Sequence, residues 1–164
     1  MAMTVTPNTP FHAMPGHLIR RLNQIAVSVF QDHMQAQGID LTPVQFAALQ
    51  ALGANPGIDQ ATLSGLIAYD RATIGGVVDR LEAKGLLARR VSRRDRRARE
   101  LTLSPSGTAL LQQVQPVVES LQDDILAGLD ADERAVFIAL AGRLAQAGNA
   151  RSRSPMAPPR NQEP

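Results

Sequence analysis

The stretch that decides the fold is Val78-Asp79-Arg80-Leu81-Glu82-Ala83-Lys84-Gly85-Leu86-Leu87-Ala88-Arg89, followed by Arg90-Val91-Ser92-Arg93-Arg94-Asp95-Arg96-Arg97-Ala98-Arg99-Glu100-Leu101-Thr102-Leu103-Ser104. Up to Lys84 the apolar residues keep helical spacing, and Gly85 stands where a helix stops. Beyond it the period changes: residues 86–91 and Arg99–Leu103 each read as a short strand, with clearer alternation in the second. Residues 92–98 between them are polar and rich in arginine, and Ser104-Pro105 is a helix start. The order is therefore helix, β-hairpin, helix.

Upstream of this stretch the pattern is helical. Asp70 is placed to cap a helix over residues 71–84, whose inward positions are Ile74, Val77 or Val78, and Leu81. A short helix before it, capped by Asp59, turns Leu63, Leu66 and Ile67 inward. Thr42-Pro43-Val44-Gln45 is a capping box with proline at the first helical position, opening a helix through Phe46, Leu49 and Leu52 to the Asn55-Pro56-Gly57 turn. The first helix starts at Pro15-Gly16 and stops near Gly38. It carries two adjoining stripes, Leu18, Leu22, Ile25, Val29 and Ile19, Ala26, Phe30, a face wide enough for its own domain and a second subunit.

Downstream, the long helix from Ser104-Pro105 carries Leu110, Leu111, Val114, Val117, Val118, Leu121 and Ile125, with Pro116 expected to kink it. Asp130 and Glu133 cap a last helix bearing Val136, Phe137, Leu140 and Leu144, which stops near Gly148. Residues 1–14 read as a flexible arm, and residues 149–164, with four prolines and little apolar content, as a disordered tail.

Composition narrows the function. The chain has 164 residues, no cysteine and 3% aromatics, which excludes disulfides, thiolate catalysis and thiol redox sensing and disfavours base stacking on single strands. No apolar run approaches the ~20 residues needed to span a bilayer, so a soluble, cytoplasmic protein with no membrane partner is expected. The formal net charge of +2 conceals a segregation. Seven arginines lie between Arg89 and Arg99 against the single carboxylate Asp95, leaving +6 there and −4 over the rest. A cluster of arginine rather than lysine is the electrostatic footprint of a polyanion, the other reading being a solvated basic loop.

A short helix, a tight turn, a second helix and a hairpin make a winged helix-turn-helix. From about residue 41 to residue 107 the chain resembles the MarR family of winged-helix transcription regulators. The residues that carry the likeness are Leu63, Asp70-Arg71-Ala72-Thr73-Ile74, the run from Val78 to Arg89, Ser92-Arg93-Arg94-Asp95-Arg96-Arg97 and Leu101-Thr102-Leu103-Ser104 with Gly107. The likeness implies a mainly α fold with a small β-hairpin: an N-terminal dimerisation helix over residues 15–40, a DNA-binding domain over 41–104 and C-terminal dimerisation helices over 105–148. It implies a homodimer on a pseudo-palindromic operator of double-stranded DNA.

Within the second helix of the motif, Arg71, Thr73 and Arg80 lie off the apolar face. Arg71 and Thr73 can each reach a base edge or a phosphate; Arg80 can reach a phosphate or pair with neighbouring acids. Gly75-Gly76 departs from the family, removes two side-chain readers and costs about 2 kcal/mol of helix propensity, so packing or close backbone approach to DNA must compensate. In the wing, Asp95 matches the acid that holds the tip and Arg97 the arginine that enters the minor groove, with Arg93, Arg94 and Arg96 beside them.

The family also implies a small effector, often an aromatic carboxylate or phenol, bound between the dimerisation and DNA-binding parts. His17, Arg20 and Arg21 are the candidates; the competing reading is a surface or intersubunit salt-bridge role. The phrase from Met14 to Arg21, with Leu41 to Phe46, resembles MarR-type repressors of nicotinate degradation, which respond to a hydroxylated nicotinate. No cofactor is implied. The three histidines, His12, His17 and His33, lack the spacing of a helical metal site. No nucleophile elbow, phosphate loop or partnered carboxylate pair suggests an enzyme. The reading is a repressor released by a small aromatic acid, against the alternative of a constitutive architectural DNA binder.

Overall fold

Capping chemistry local to each segment sets where the helices begin. The computed structural model describes residues 10–92 and 99–158. The helices are α1 (Pro15–Ala36), α2 (Pro43–Ala54), α3 (Gln60–Leu66), α4 (Arg71–Ala83), α5 (Pro105–Ile125) and α6 (Ala131–Gly148). The strands are β1 (Ile58–Asp59), β2 (Leu87–Val91) and β3 (Arg99–Leu103). At α2 the Gln45 amide donates to Thr42 Oγ1 at 3.3 Å while the Thr42 amide donates to Gln45 Oε1 at 3.1 Å. Asp59 accepts from the Thr62 amide at 2.7 Å, and Asp70 from the Thr73 amide at 2.9 Å. The Asp130–Glu133 box closes α6 with contacts of 2.9 and 3.0 Å. Gly38 and Gly85 take φ of +66° and +70° after α1 and α4, where a side chain would be strained.

The hairpin of β2 and β3 pairs Leu87 with Leu103, Arg89 with Leu101 and Val91 with Arg99. It belongs to a three-stranded antiparallel sheet of order β1-β3-β2, because Ile58 and Asp59 add a strand opposite Leu101 and Glu100. Two residues carry no readable alternation, so β1 shows only in three dimensions.

One core runs through the helix-turn-helix and up the shaft of α5. Leu49, Leu52, Leu63, Ile74, Val77, Val78, Leu81 and Leu101 fill its lower part, and Phe30, Met34, Val114 and Leu121 join the second half of α1 to α5. Both Val77 and Val78 are buried. His33 Nε2 lies 2.8 Å from Asp124 Oδ2, and Lys84 Nζ donates to Asp40 at 2.7 Å, tying α1 and the loop after it to α5 and α4. α5 continues through Pro116 to Ile125.

Two regions depart from the core. Leu18, Ile19, Leu22 and Ile25 on α1 stay 43–54% exposed, and no residue of α6 is buried, with Ile138 and Leu144 at 60% and 63%. The tail also differs from expectation over residues 149–158. It is ordered, with a 3-10 turn at Asn149–Arg151 and the Ala157 amide donating to Gly65 O at 2.9 Å. Backbone and asparagine hydrogen bonds supply there what apolar content does not. In the arm, Phe11–Ala13 forms a 3-10 turn, while residues 1–9 lie outside the described part. Among the described residues no helix is long and apolar enough to cross a membrane.

The junction of α4, β2 and α5 admits little change. Ser104 Oγ donates to Gly85 O at 2.5 Å and accepts from the Gly107 amide at 3.0 Å, while the Ser104 amide donates to Leu86 O at 3.0 Å. A Cβ on Gly107 would lie 1.9 Å from Leu86 O. Gly107→Ala should therefore lower unfolding free energy by more than about 3 kcal/mol, and Ser104→Ala by about 1–2 kcal/mol. Urea denaturation monitored by circular dichroism measures both.

Candidate nucleic-acid interface and ligand cluster

The outer face of α4 is built by the residues that its apolar stripe leaves over. Ile74, Val77, Val78 and Leu81 point into the core, so Arg71, Thr73, Asp79 and Arg80 are exposed. Arg71 and Arg80 make no ion pair among the described residues. Thr73 is already engaged: its Oγ1 donates to Asp70 Oδ2 at 2.5 Å. That bond, with the Thr73 amide, holds the Asp70 carboxyl below its ordinary pKa. The cap therefore persists at ordinary pH and is lost only as pH falls through that depressed value. With its proton turned inward, the Thr73 hydroxyl faces outward as an acceptor, suited to a base amino group or a water.

Gly75 and Gly76 present bare backbone beside these side chains. A Cβ at Gly75 would make an ordinary 3.5 Å contact with Gln60 Nε2, and one at Gly76 would meet nothing within 4 Å. Packing inside the chain thus gives no reason for Gly76.

The basic cluster is not uniform. Arg89 bonds Asp79 through Nη2, and its Nε lies 3.1 Å from Glu82 Oε2, so this guanidinium stitches β2 to α4. Asp79 and Glu82 are three apart on one helical face, a spacing that offers two carboxylates to a single partner. Arg90 and Arg99 are exposed at the base of the hairpin. Arg93, Arg94, Asp95, Arg96 and Arg97 lie outside the described residues.

At the other end of the molecule the start of α1 gathers two of the three predicted effector residues. Arg20 Nη2 lies 3.5 Å from His17 Nδ1, and Arg20 Nη1 donates to Gln24 Oε1 at 2.8 Å. The Phe11 ring packs on the imidazole with centroids 4.5 Å apart and planes tilted by 55°. Phe11 and Gln24 were not legible as members of this group, since the arm carries no period to place them. Arg21 is exposed and shares neither contact.

Residues 39–98 match the MarR family model. The chain is 36% identical over 135 residues to the HTH-type transcriptional repressor NicR of Pseudomonas putida, covering 81% of this chain and 84% of that one. Among solved structures it resembles BpsR of Bordetella bronchiseptica, whose DNA binding is regulated by 6-hydroxynicotinic acid. That likeness has 33% identity and a TM-score of 0.78, over 84% of this chain and 97% of BpsR. It also resembles PcaV of Streptomyces coelicolor in complex with its natural ligand, with 34% identity and a TM-score of 0.77, over 86% and 98% of the two chains. The sheet and six helices take the same winged-helix arrangement as these regulators. The chain belongs to the MarR family of transcriptional regulators.

Proposed function

We propose that the protein is a homodimeric repressor that grips duplex DNA with α4 and the arginine-rich wing and is released by a small aromatic carboxylate of the hydroxynicotinate class. The observation that carries the reading is the exposed face of α4, two cations without protein partners beside bare glycine backbone, next to a hairpin with a strongly basic tip. Arg71 and Arg80 supply phosphate or base-edge contacts, and Arg97 is assigned to the minor groove, with Arg93, Arg94 and Arg96 on flanking phosphates and Asp95 holding the tip. The uncovered apolar faces of α1 and α6 support the dimer, since a lone chain leaves Leu22, Ile138 and Leu144 in water. Two helix-turn-helix units so joined meet major-groove faces about one helical turn apart.

The effector reading rests on Phe11, His17 and Arg20. A guanidinium only donates, so His17 Nδ1 accepts from Arg20 and the ring proton resides on Nε2, free to donate to a ligand oxygen. Arg20 offers a carboxylate its positive charge, and Phe11 an aromatic face. Similarity to NicR and BpsR favours a hydroxylated nicotinate as the acid. Arg21 is kept as a second cation at the rim of the group. Release then requires only that the ligand prefer a dimer whose α4 spacing does not fit the operator. A preference of 1–3 kcal/mol weakens binding about 5- to 150-fold.

The test is fluorescence anisotropy with a labelled duplex from immediately upstream of the gene encoding this chain, with and without 6-hydroxynicotinic acid. Salt-sensitive binding by two chains per duplex, weakened by the acid, is the expected outcome. Binding that neither this acid nor a panel of aromatic carboxylates alters would favour the constitutive binder. Arg20→Ala should retain DNA affinity while raising the acid concentration needed for release at least tenfold; an unchanged response curve removes Arg20 from the site.

Gly76 gives an independent check of the α4 face. Gly76→Ala should raise unfolding free energy by about 1 kcal/mol through helix propensity, because the methyl meets nothing in the chain. If α4 backbone lies close to DNA, the same methyl lowers affinity. Thermal melting and anisotropy on one protein preparation then move in opposite directions; a stabilised variant with full affinity would separate Gly76 from the interface.

A further inference from the structure

The segment after α6 folds back onto the DNA-reading half of the chain. Asn149 closes it into a loop: its Nδ2 donates to Met156 O at 3.0 Å and its Oδ1 accepts from the Met156 amide at 2.7 Å. Within the loop the Ser154 amide donates to Ser152 Oγ at 3.1 Å. The loop is moored at the end of α3, where the Ala157 amide donates to Gly65 O at 2.9 Å. Glycine at 65 permits this approach, since a Cβ there would come within 3.3 Å of the Ala157 Cβ.

The mooring brings a second arginine to the start of α4. A cleft of about 390 Å³ has Tyr69, Asp70 and Arg71 on one side and Arg153, Ser154 and Pro155 on the other. Both arginines are exposed, and neither makes an ion pair among the described residues. Asp70, the carboxylate lining the cleft, already accepts the Thr73 amide and hydroxyl. Two guanidinium groups brought to one cleft repel each other until an anion enters, and a phosphodiester accepts hydrogen bonds from either.

We propose that this strap, residues 149–158, is part of the DNA-contact surface. Arg153, held across from Arg71, binds a backbone phosphate flanking the groove that α4 enters. The inference rests on the DNA-binding reading above. A phosphate contact positions the protein without reading sequence, so its loss weakens specific and non-specific duplexes alike.

The experiment is anisotropy with full-length protein on the upstream duplex and on a random-sequence duplex of equal length, across a salt series. Arg153→Ala should weaken binding to both duplexes roughly three- to tenfold and make the log K against log salt slope shallower by about 0.9. Arg153→Lys should recover most of the affinity, and Asn149→Ala, which opens the loop with Arg153 intact, should reproduce the loss. Melting temperatures of all three should match the parent. Unchanged affinity and slope for Arg153→Ala, with Arg71→Ala still weakening binding, overturns the strap contact and leaves the DNA-binding reading standing. A loss accompanied by a lower melting temperature, or one that Asn149→Ala does not reproduce, overturns it as well. Binding of the parent to neither duplex defeats both.

Discussion

The structure depends on the contact between Ser104–Gly107 and the Gly85–Leu86 corner. One hydroxyl, Ser104 Oγ, bonds the last carbonyl of the α4 turn and the first free amide of α5, and the missing side chain of Gly107 lets α5 lie against Leu86 O. Through it the helix whose outer face is offered to DNA, the wing strands and the shaft become one rigid unit. A movement of α5 must therefore carry α4 with it, because packed backbone at such a distance has no slack to absorb displacement. In a dimer held by α1 and α6, that rigidity would convert a change between subunits into a change of α4 spacing.

Charge is arranged around this unit with two different uses for arginine. Arg89 faces Asp79 and Glu82 and is half of an internal tie, whereas Arg71, Arg80, Arg90 and Arg99 stand exposed. The distinction follows from the sheet register: Arg89 is opposite Leu101 on the side of β2 that faces α4, and Arg90, one residue on, turns to the other side. Net charge along the sequence counts the two alike. Only the exposed group contributes to the field that a polyanion meets.

The apolar residues show a comparable division. The second half of α1 closes the core with Phe30 and Met34, while the first half and all of α6 remain uncovered. Apolar area left in water at about 25 cal/mol per Å² is a standing drive for association, and it sits at the end of the molecule away from the wing. Association there leaves α4 and the hairpin free.

Much was legible beforehand because its causes are local. Thr42, Asp59, Asp70, Ser104 and Asp130 each cap the helix they precede, and Gly38 and Gly85 end theirs, since a cap needs only groups a few residues away. Apolar spacing likewise identified Ile74, Val77, Val78 and Leu81 as the inner face of α4, and so left Arg71, Thr73 and Arg80 outside. The sequence by itself thus determined the elements, their order, the inward faces and the site of concentrated positive charge. Tertiary structure alone decided that Ile58 and Asp59 extend the sheet, that Arg89 turns to α4, that Phe11 packs on His17, and that Ala157 reaches Gly65. Each of these joins residues through space by contacts that no period encodes, so they exist only once the core has fixed the distances between elements.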